Sequence, residues 1–180
     1  RFLFPGIGYG GSCFPKDVRA LIHTAKEKGY DAHLLREVDA LNERQKQYLL
    51  HKVKSKFGQT LVGHRFTVLG LSFKPQTSDL RESPALVLVH ELLNHGAEVT
   101  VYDPVAHSEA QEVLGTKVTY ASSLADSTMN SSAIFLATEW DEFRNINFAE
   151  LGKTMKHKVF FDGRNIYEPE MVREDGFEYV

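Results

Sequence analysis

A single cysteine, Cys13, in a chain of 180 residues excludes an internal disulfide framework and any zinc site built from several cysteines. It suits a reducing compartment, and the cytoplasm is the expected location. An excess of one charge sign is also missing. The formal net charge of −3 at pH 7 gives no electrostatic reason to expect nucleic acid or an anionic membrane as the main partner. No apolar run approaches the roughly 20 residues of a membrane span, and no basic, apolar, small-residue leader opens the chain. Internal repeats and low-complexity stretches are absent. The sequence opens at Arg1 rather than methionine, and its first residues read like the middle of an ordered segment, so a fragment of a longer protein is expected. What is present is ordinary for a soluble globular protein: 42% hydrophobic and 25% charged residues, enough for one full core and a small appended region.

Helical spacing of Val18, Leu21, Ile22 and Ala25, closed by Gly29, predicts a short first helix. The series Leu34, Leu35, Val38, Leu41, Tyr48, Leu49, Val53 and Phe57 predicts one long helix of about six turns, a length suited to bridging domains or pairing with a second copy. "GQTLVGHR", Gly58–Arg65, reads as a linker between residues 1–57 and 60–180. Beyond it, "FTVLGLSF", "AEVTVYDP", "SSAIFLAT" and "HKVFFDGR" read as strands. "SPALVLVHELLNHG" and stretches near Ser108–Leu114, Phe148–Met155 and Glu168–Glu174 read as helices. This alternation predicts an α/β fold: a Rossmann-like, doubly wound parallel sheet preceded by a helical region.

"GIGYGGSCFPKD" carries the chemistry. Gly6, Gly8 and Gly11 satisfy the dinucleotide fingerprint, with Asp31 about twenty residues on. The context is wrong, however: "RFLFP" is a poor preceding strand, and Asp31 lies between two helical runs. The stretch instead reads as a glycine-dense backbone leading to Cys13, with Pro15, Lys16 and Asp17 opening a helix. Positive potential from a helix N-terminus and a lysine favours a thiolate, which suits a nucleophile. The alternative is a small buried hydrophobe, but packing alone requires neither the glycines nor the charges.

"FLFPGIGYGGSCFPKD" resembles the signature loop of the UDP-glucose 6-dehydrogenase family of nucleotide-sugar dehydrogenases, and "GLSFKPQTSDLRESPA" resembles that family's nucleotide-sugar-binding stretch. "VYDP", "TEWDEF" and "FDGRN" are similar to its C-terminal domain. The resemblance implies a Rossmann-like UDP-binding domain over 60–180, preceded over 1–57 by the end of a central region whose long helix supports a homodimer. It also implies an NAD-binding domain outside this sequence. Cys13 matches the nucleophile that captures the aldehyde in a double oxidation of UDP-glucose to UDP-glucuronate with NAD. Asp17 matches a carboxylate that orients water or moves a proton, though a helix N-cap is the alternative. Lys16 and Arg81 match cofactor contacts. Phe2, Leu3, Phe4, Pro5, Gly6, Gly10 and Lys74 match contacts to the nucleotide sugar. The fragment alone is expected to be inactive.

Other assignments remain open: a non-catalytic UDP-sugar-binding or dimerisation module, or a dehydrogenase for GDP-mannose or UDP-N-acetylmannosamine. Gly70 and Ser72 are not followed by a third glycine, so the C-terminal domain reads as a nucleotide-sugar binder rather than a second NAD site. "HELLN" has asparagine where a zinc helix needs its second histidine, and no metal is expected. "HKVKSK" reads as a solvated helix end, and the sequon at Asn130 matters only in a secreted protein. Trp140 has no role legible in the sequence.

Overall fold

Apolar runs between turn residues place six strands in one sheet in the computed structural model, which describes residues 5–180. The strands are β1 (Arg65–Leu69), β2 (Glu98–Tyr102), β3 (Thr119–Tyr120), β4 (Ala133–Leu136), β5 (Val159–Asp162) and β6 (Glu178–Tyr179). All pair in parallel, in the order β3-β2-β1-β4-β5-β6. The chain winds outward from β1 to β3, returns to β4, and winds outward on the other side, as expected for a doubly wound sheet. The helices are α1 (Phe14–Glu27), α2 (His33–Lys46), α3 (Tyr48–Phe57), α4 (Pro84–Asn94), α5 (His107–Leu114), α6 (Leu124–Ser127), α7 (Phe148–Leu151) and α8 (Pro169–Glu174), with a 3-10 turn over Asp141–Arg144.

Side chains alternate across the central strands and bury both faces. Phe66, Val68, Phe135 and Phe161 share one apolar layer with Leu88, Val89 and Leu92 of α4. Leu69, Ile134, Leu136 and Phe160 face the opposite layer with Trp140, Phe143, Phe148 and Val172. Phe135 and Phe161 occupy paired positions and stack with ring centroids 4.6 Å apart. Fully burying each such side chain contributes about 1.5–3 kcal/mol relative to leaving it in water.

The single long helix expected over Leu34–Phe57 is instead two helices meeting at Gln47, whose amide donates to Arg44 O at 3.1 Å. That tighter bond closes α2 at Lys46, and α3 begins after the single residue Gln47. The two helices then bury different surroundings. Leu49 and Val53 of α3 join the core that contains β1, whereas Leu34, Val38 and Leu41 of α2 stay exposed.

Strand order reverses between β1 and β4, and ligands of open α/β sheets bind in the crevice outside the strand ends at such a point. The loops after β1 and β4 meet there: Thr138 Oγ1 donates to Ser72 O at 2.5 Å.

Candidate functional site

Residues 5–12 run past these loops as an extended strip with little side-chain bulk, and its position is set by hydrogen bonds to its backbone. Asn42 of α2 makes a reciprocal pair with Tyr9, its Oδ1 accepting from the amide at 2.8 Å and its Nδ2 donating to the carbonyl at 3.1 Å. Gln45 Nε2 donates to Gly6 O at 2.7 Å, and Asn165 Nδ2 donates to Pro5 O at 3.2 Å. At the other end Gly11 N donates to Arg81 O at 2.8 Å. Gly8 has φ +112°, a left-handed region that favours glycine, and a Cβ there would lie 2.9 Å from Asn42 Oδ1. Gly10 owes its identity to a different contact, because a Cβ would come within 2.3 Å of the Glu82 carbonyl oxygen.

The strip delivers Cys13 to the amino end of α1. Cys13 is exposed and is the N-cap residue, with Pro15 buried in the first turn and Asp17 N donating to Cys13 O at 2.8 Å. Ser12 Oγ lies 3.7 Å from the sulfur. Asp17 is therefore inside the helix rather than at its cap. Its carboxylate takes Lys16 Nζ at 2.5 Å, and this hydrogen bond is the main cause that pushes the lysine above its ordinary value.

Facing Cys13 is the turn 79–82. Arg81 makes a two-pronged contact with Asp79, Nε to Oδ1 at 2.9 Å and Nη2 to Oδ2 at 2.8 Å. That hydrogen bond holds the Asp79 carboxyl below its usual range. Glu82 follows with φ +55°, an uncommon conformation for a residue with a side chain. Its carboxylate accepts from Arg19 Nη1 at 2.9 Å and from Lys46 Nζ at 3.3 Å. Only 3% of the Lys46 side chain is exposed, and its ammonium also meets Glu43 at 2.8 Å. Arg19 reaches Asp39 and Glu43 as well. The Arg19 bond is the main cause that keeps the Glu82 carboxyl depressed; burial opposes it, and the Lys46 bond adds to the lowering. Gly11, Ser12, Lys16, Arg19, Arg81 and Glu82 together line a cleft of about 430 Å³.

At the turn after β1, the amides of Leu71 and Ser72 donate to Asp103 Oδ2 at 2.7 and 3.1 Å, and Trp140 Nε1 donates to the same oxygen at 3.2 Å. The other oxygen caps the amides of Val105 and Ala106. In a dinucleotide site, an acidic residue after the second strand reads a ribose and such amides face a pyrophosphate. Here the carboxylate is turned inward and consumes them. A Cβ at Gly70, φ +83°, would lie 2.5 Å from Thr138 Cβ, so the protein itself fills the close approach. Trp140 thereby gains a role: it is buried and completes the Asp103 cage.

Of the residues singled out in the sequence, Cys13, Lys16, Asp17, Gly10 and Arg81 converge. Lys74 is exposed, its ammonium 5.4 Å from the ring centre of Phe73, whose edge packs where a Gly11 Cβ would project. Pro5 and Gly6 lie at the far end of the strip, where a Gly6 Cβ would be 2.7 Å from Arg164 Nη1. Phe2, Leu3 and Phe4 lie outside the described residues. Sequence reasoning missed Asn42, Gln45 and Lys46 of α2, Arg19 of α1, and Glu82. The available signal, for α2 alone, was the polar run between Leu41 and Tyr48, in which Asn42 and Lys46 are buried. Among the described residues, no group of three or more His, Cys, Asp or Glu side chains could hold a metal ion.

Known protein families, sequences and solved structures share features with this chain. The model of the UDP-glucose/GDP-mannose dehydrogenase family matches through its UDP binding domain at residues 67–169 and through its central domain at residues 1–44. The chain is 42% identical to a UDP-glucose 6-dehydrogenase of Pseudomonas aeruginosa over 184 residues, covering 99% of this chain and 41% of that protein. Among solved structures it resembles a UDP-glucose dehydrogenase from the hyperthermophilic archaeon Pyrobaculum islandicum, with TM-score 0.81 and 35% identity over 89% of this chain and 35% of the other. It also resembles a UDP-D-ManNAc dehydrogenase from Pyrococcus horikoshii, with TM-score 0.78 and 35% identity over 97% and 38%.

Proposed function

Because the chain belongs to the UDP-glucose/GDP-mannose dehydrogenase family, we propose that it supplies the nucleophile and the UDP-sugar-binding domain for oxidation of UDP-glucose to UDP-glucuronate. The observation that carries this reading is the position of Cys13: exposed at the start of α1, beside a cleft lined by Lys16 and Arg81. The chain spans 41% of the length of its Pseudomonas relative, which agrees with a cofactor-binding region outside this sequence and with no turnover by these residues alone. Residues 1–57 then form the end of the central region, and 60–180 the UDP-binding domain.

NAD fits the cleft chemically, since the Lys16 and Arg81 side chains are 69% and 70% exposed and can meet a diphosphate. Two NAD, bound in succession, would each accept one hydride. Removal of a hydride and a proton from the sugar's primary alcohol gives an aldehyde. Cys13 Sγ adds to the aldehyde carbon and the thiol proton passes to its oxygen, so the intermediate is held as a thiohemiacetal and cannot escape. Loss of a second hydride and the hydroxyl proton leaves a thioester on Cys13. Water adds to that carbonyl, the carbon–sulfur bond breaks, and the sulfur departs with a proton. Asp17, one helical turn after Cys13, lies on the same face of α1 and orients that water. Lys74, Gly10, Pro5 and Gly6 contact the nucleotide sugar, the role the sequence also suggests for Phe2, Leu3 and Phe4, which lie outside the described residues.

The exposed apolar face of α2 docks a second copy of the chain, and the complete protein works in the cytoplasm. Among the described residues, no helix is long and apolar enough to cross a membrane. A full-length Cys13→Ala variant is expected to lose UDP-glucuronate formation by at least about a thousandfold while still binding UDP-glucose in calorimetry. Overall oxidation at the wild-type rate would overturn the assignment.

A further inference from the structure

We infer that Glu82 is a positioning residue: gripped by Lys46 and Arg19, it locks the turn bearing Arg81 against the loop bearing Cys13. The inference rests on the reading above only in treating Cys13 and Arg81 as parts of one site.

Four observations converge. First, Glu82 sits at φ +55°, a conformation that costs on the order of 1 kcal/mol and persists where the surroundings over-determine it. Second, Lys46 is nearly fully buried on α2, and its ammonium meets both Glu43 and Glu82. The buried ammonium thus bridges a carboxylate of α2 and the carboxylate of the turn, which ties the turn to α2. Third, Arg19 joins the same carboxylate from α1, the helix that Cys13 caps. Fourth, the Glu82 carbonyl occupies the space beside Gly10, and the Arg81 carbonyl accepts from Gly11. The turn is thus fixed to the helices through the Glu82 side chain and to the glycine strip through its backbone.

Asp79 cannot substitute for this lock. It orients the Arg81 guanidinium, but it belongs to the same turn and would move with it. Lys16 stands within one turn of Cys13 on α1 and Arg81 lines the adjoining cleft from the facing turn, so both cations are near enough to feel a Cys13 thiolate. Releasing the turn therefore withdraws one of two positive charges from the sulfur.

The test is the alkylation of Cys13 in the full-length protein, followed by mass spectrometry of its peptide. Two reagents are used, anionic iodoacetate and neutral iodoacetamide. The ratio of their rates cancels the ionised fraction of the thiol and reports the local potential. Removing the Glu82 charge while Arg81 stays in place would raise this ratio. If Glu82 positions Arg81, Glu82→Gln lowers it instead, by about threefold in a solvent-exposed cleft. An unchanged or raised ratio overturns the inference. In an Arg81→Gln background the fall should vanish, and a further fall would show that Glu82 does not act through Arg81. Glu82→Asp keeps the charge and tolerates the left-handed backbone but shortens the reach. It should lower the ratio as Gln does, and it keeps the test open if the neutral variant melts. None of these readings requires turnover, so they stand or fall separately from the catalytic assignment.

Discussion

Gly10 shows how one absent methyl group sets the geometry of the cleft. Its φ is not in the left-handed region, so alanine is acceptable to the backbone. The obstacle is the Glu82 carbonyl, whose oxygen and carbon would lie 2.3 and 2.8 Å from the new Cβ. Both are backbone atoms, so relief requires the strip and the turn to part, at a cost of about 1–3 kcal/mol for overpacking. Gly10→Ala in the full-length protein is therefore expected to reduce turnover about tenfold or more while the fold survives. Gly29 is the control. It has φ +74° and nothing within 4 Å, so Gly29→Ala should cost about 1 kcal/mol of stability and leave turnover unchanged. Equal turnover in the two variants would show that the strip moves freely over the turn. Cys13, Lys16 and Asp17 were legible as a group because they are close in sequence. Lys46 and Glu82 were not, because each reads alone as a solvated charge and only folding brings them together.

Among the elements, α4 begins where two jobs coincide. Ser83 Oγ accepts from Ala85 N at 3.2 Å as the helix cap and donates to Leu71 O at 2.6 Å, tying the helix to the turn after β1. Ser83→Ala removes the cap and leaves the carbonyl of a buried residue without that donor, which together should cost about 2–4 kcal/mol in urea unfolding. Ser123 caps the four-residue α6 from an exposed position, and Ser123→Ala should cost about 1 kcal/mol or less. Similar losses at both positions would mean that the second Ser83 bond contributes nothing. Strand and helix alternation beyond Arg65 was readable, since β1, β2, β4 and β5 are strongly apolar and α4 carries proline early and glycine just past its end. Other features had no such signal. The edge strands β3 and β6 have two residues each, too few for any period to show. The step at Gln47 contains neither proline nor glycine, and it follows from how α2 and α3 bury different surroundings, which no local pattern encodes.

For the whole molecule, the sheet and its two apolar layers account for the buried side of α3, but nothing within the described residues covers the outer face of α2. Leu34 and Leu41 are 75% and 56% exposed, with Val38 between them. Their spacing of four and then three residues places all three on one helical stripe. Leu21 of α1 is 56% exposed, and α1 packs alongside α2. Scattered exposed leucines need no explanation, whereas a stripe along one helix is the form in which a helix pair meets its own copy. Burying one exposed leucine in such an interface is worth about 1.5–3 kcal/mol, and two-fold symmetry makes each substitution count twice. A charge placed on the stripe must be desolvated or excluded, which adds to the loss. Sedimentation of the full-length protein should therefore show a dimer at micromolar concentration. Leu34→Glu/Leu41→Glu should shift it to monomer without lowering the helical circular-dichroism signal, because both side chains are already in water within the single chain. A monomeric wild-type protein at high concentration, or a double variant that remains dimeric, would remove α2 as the interface.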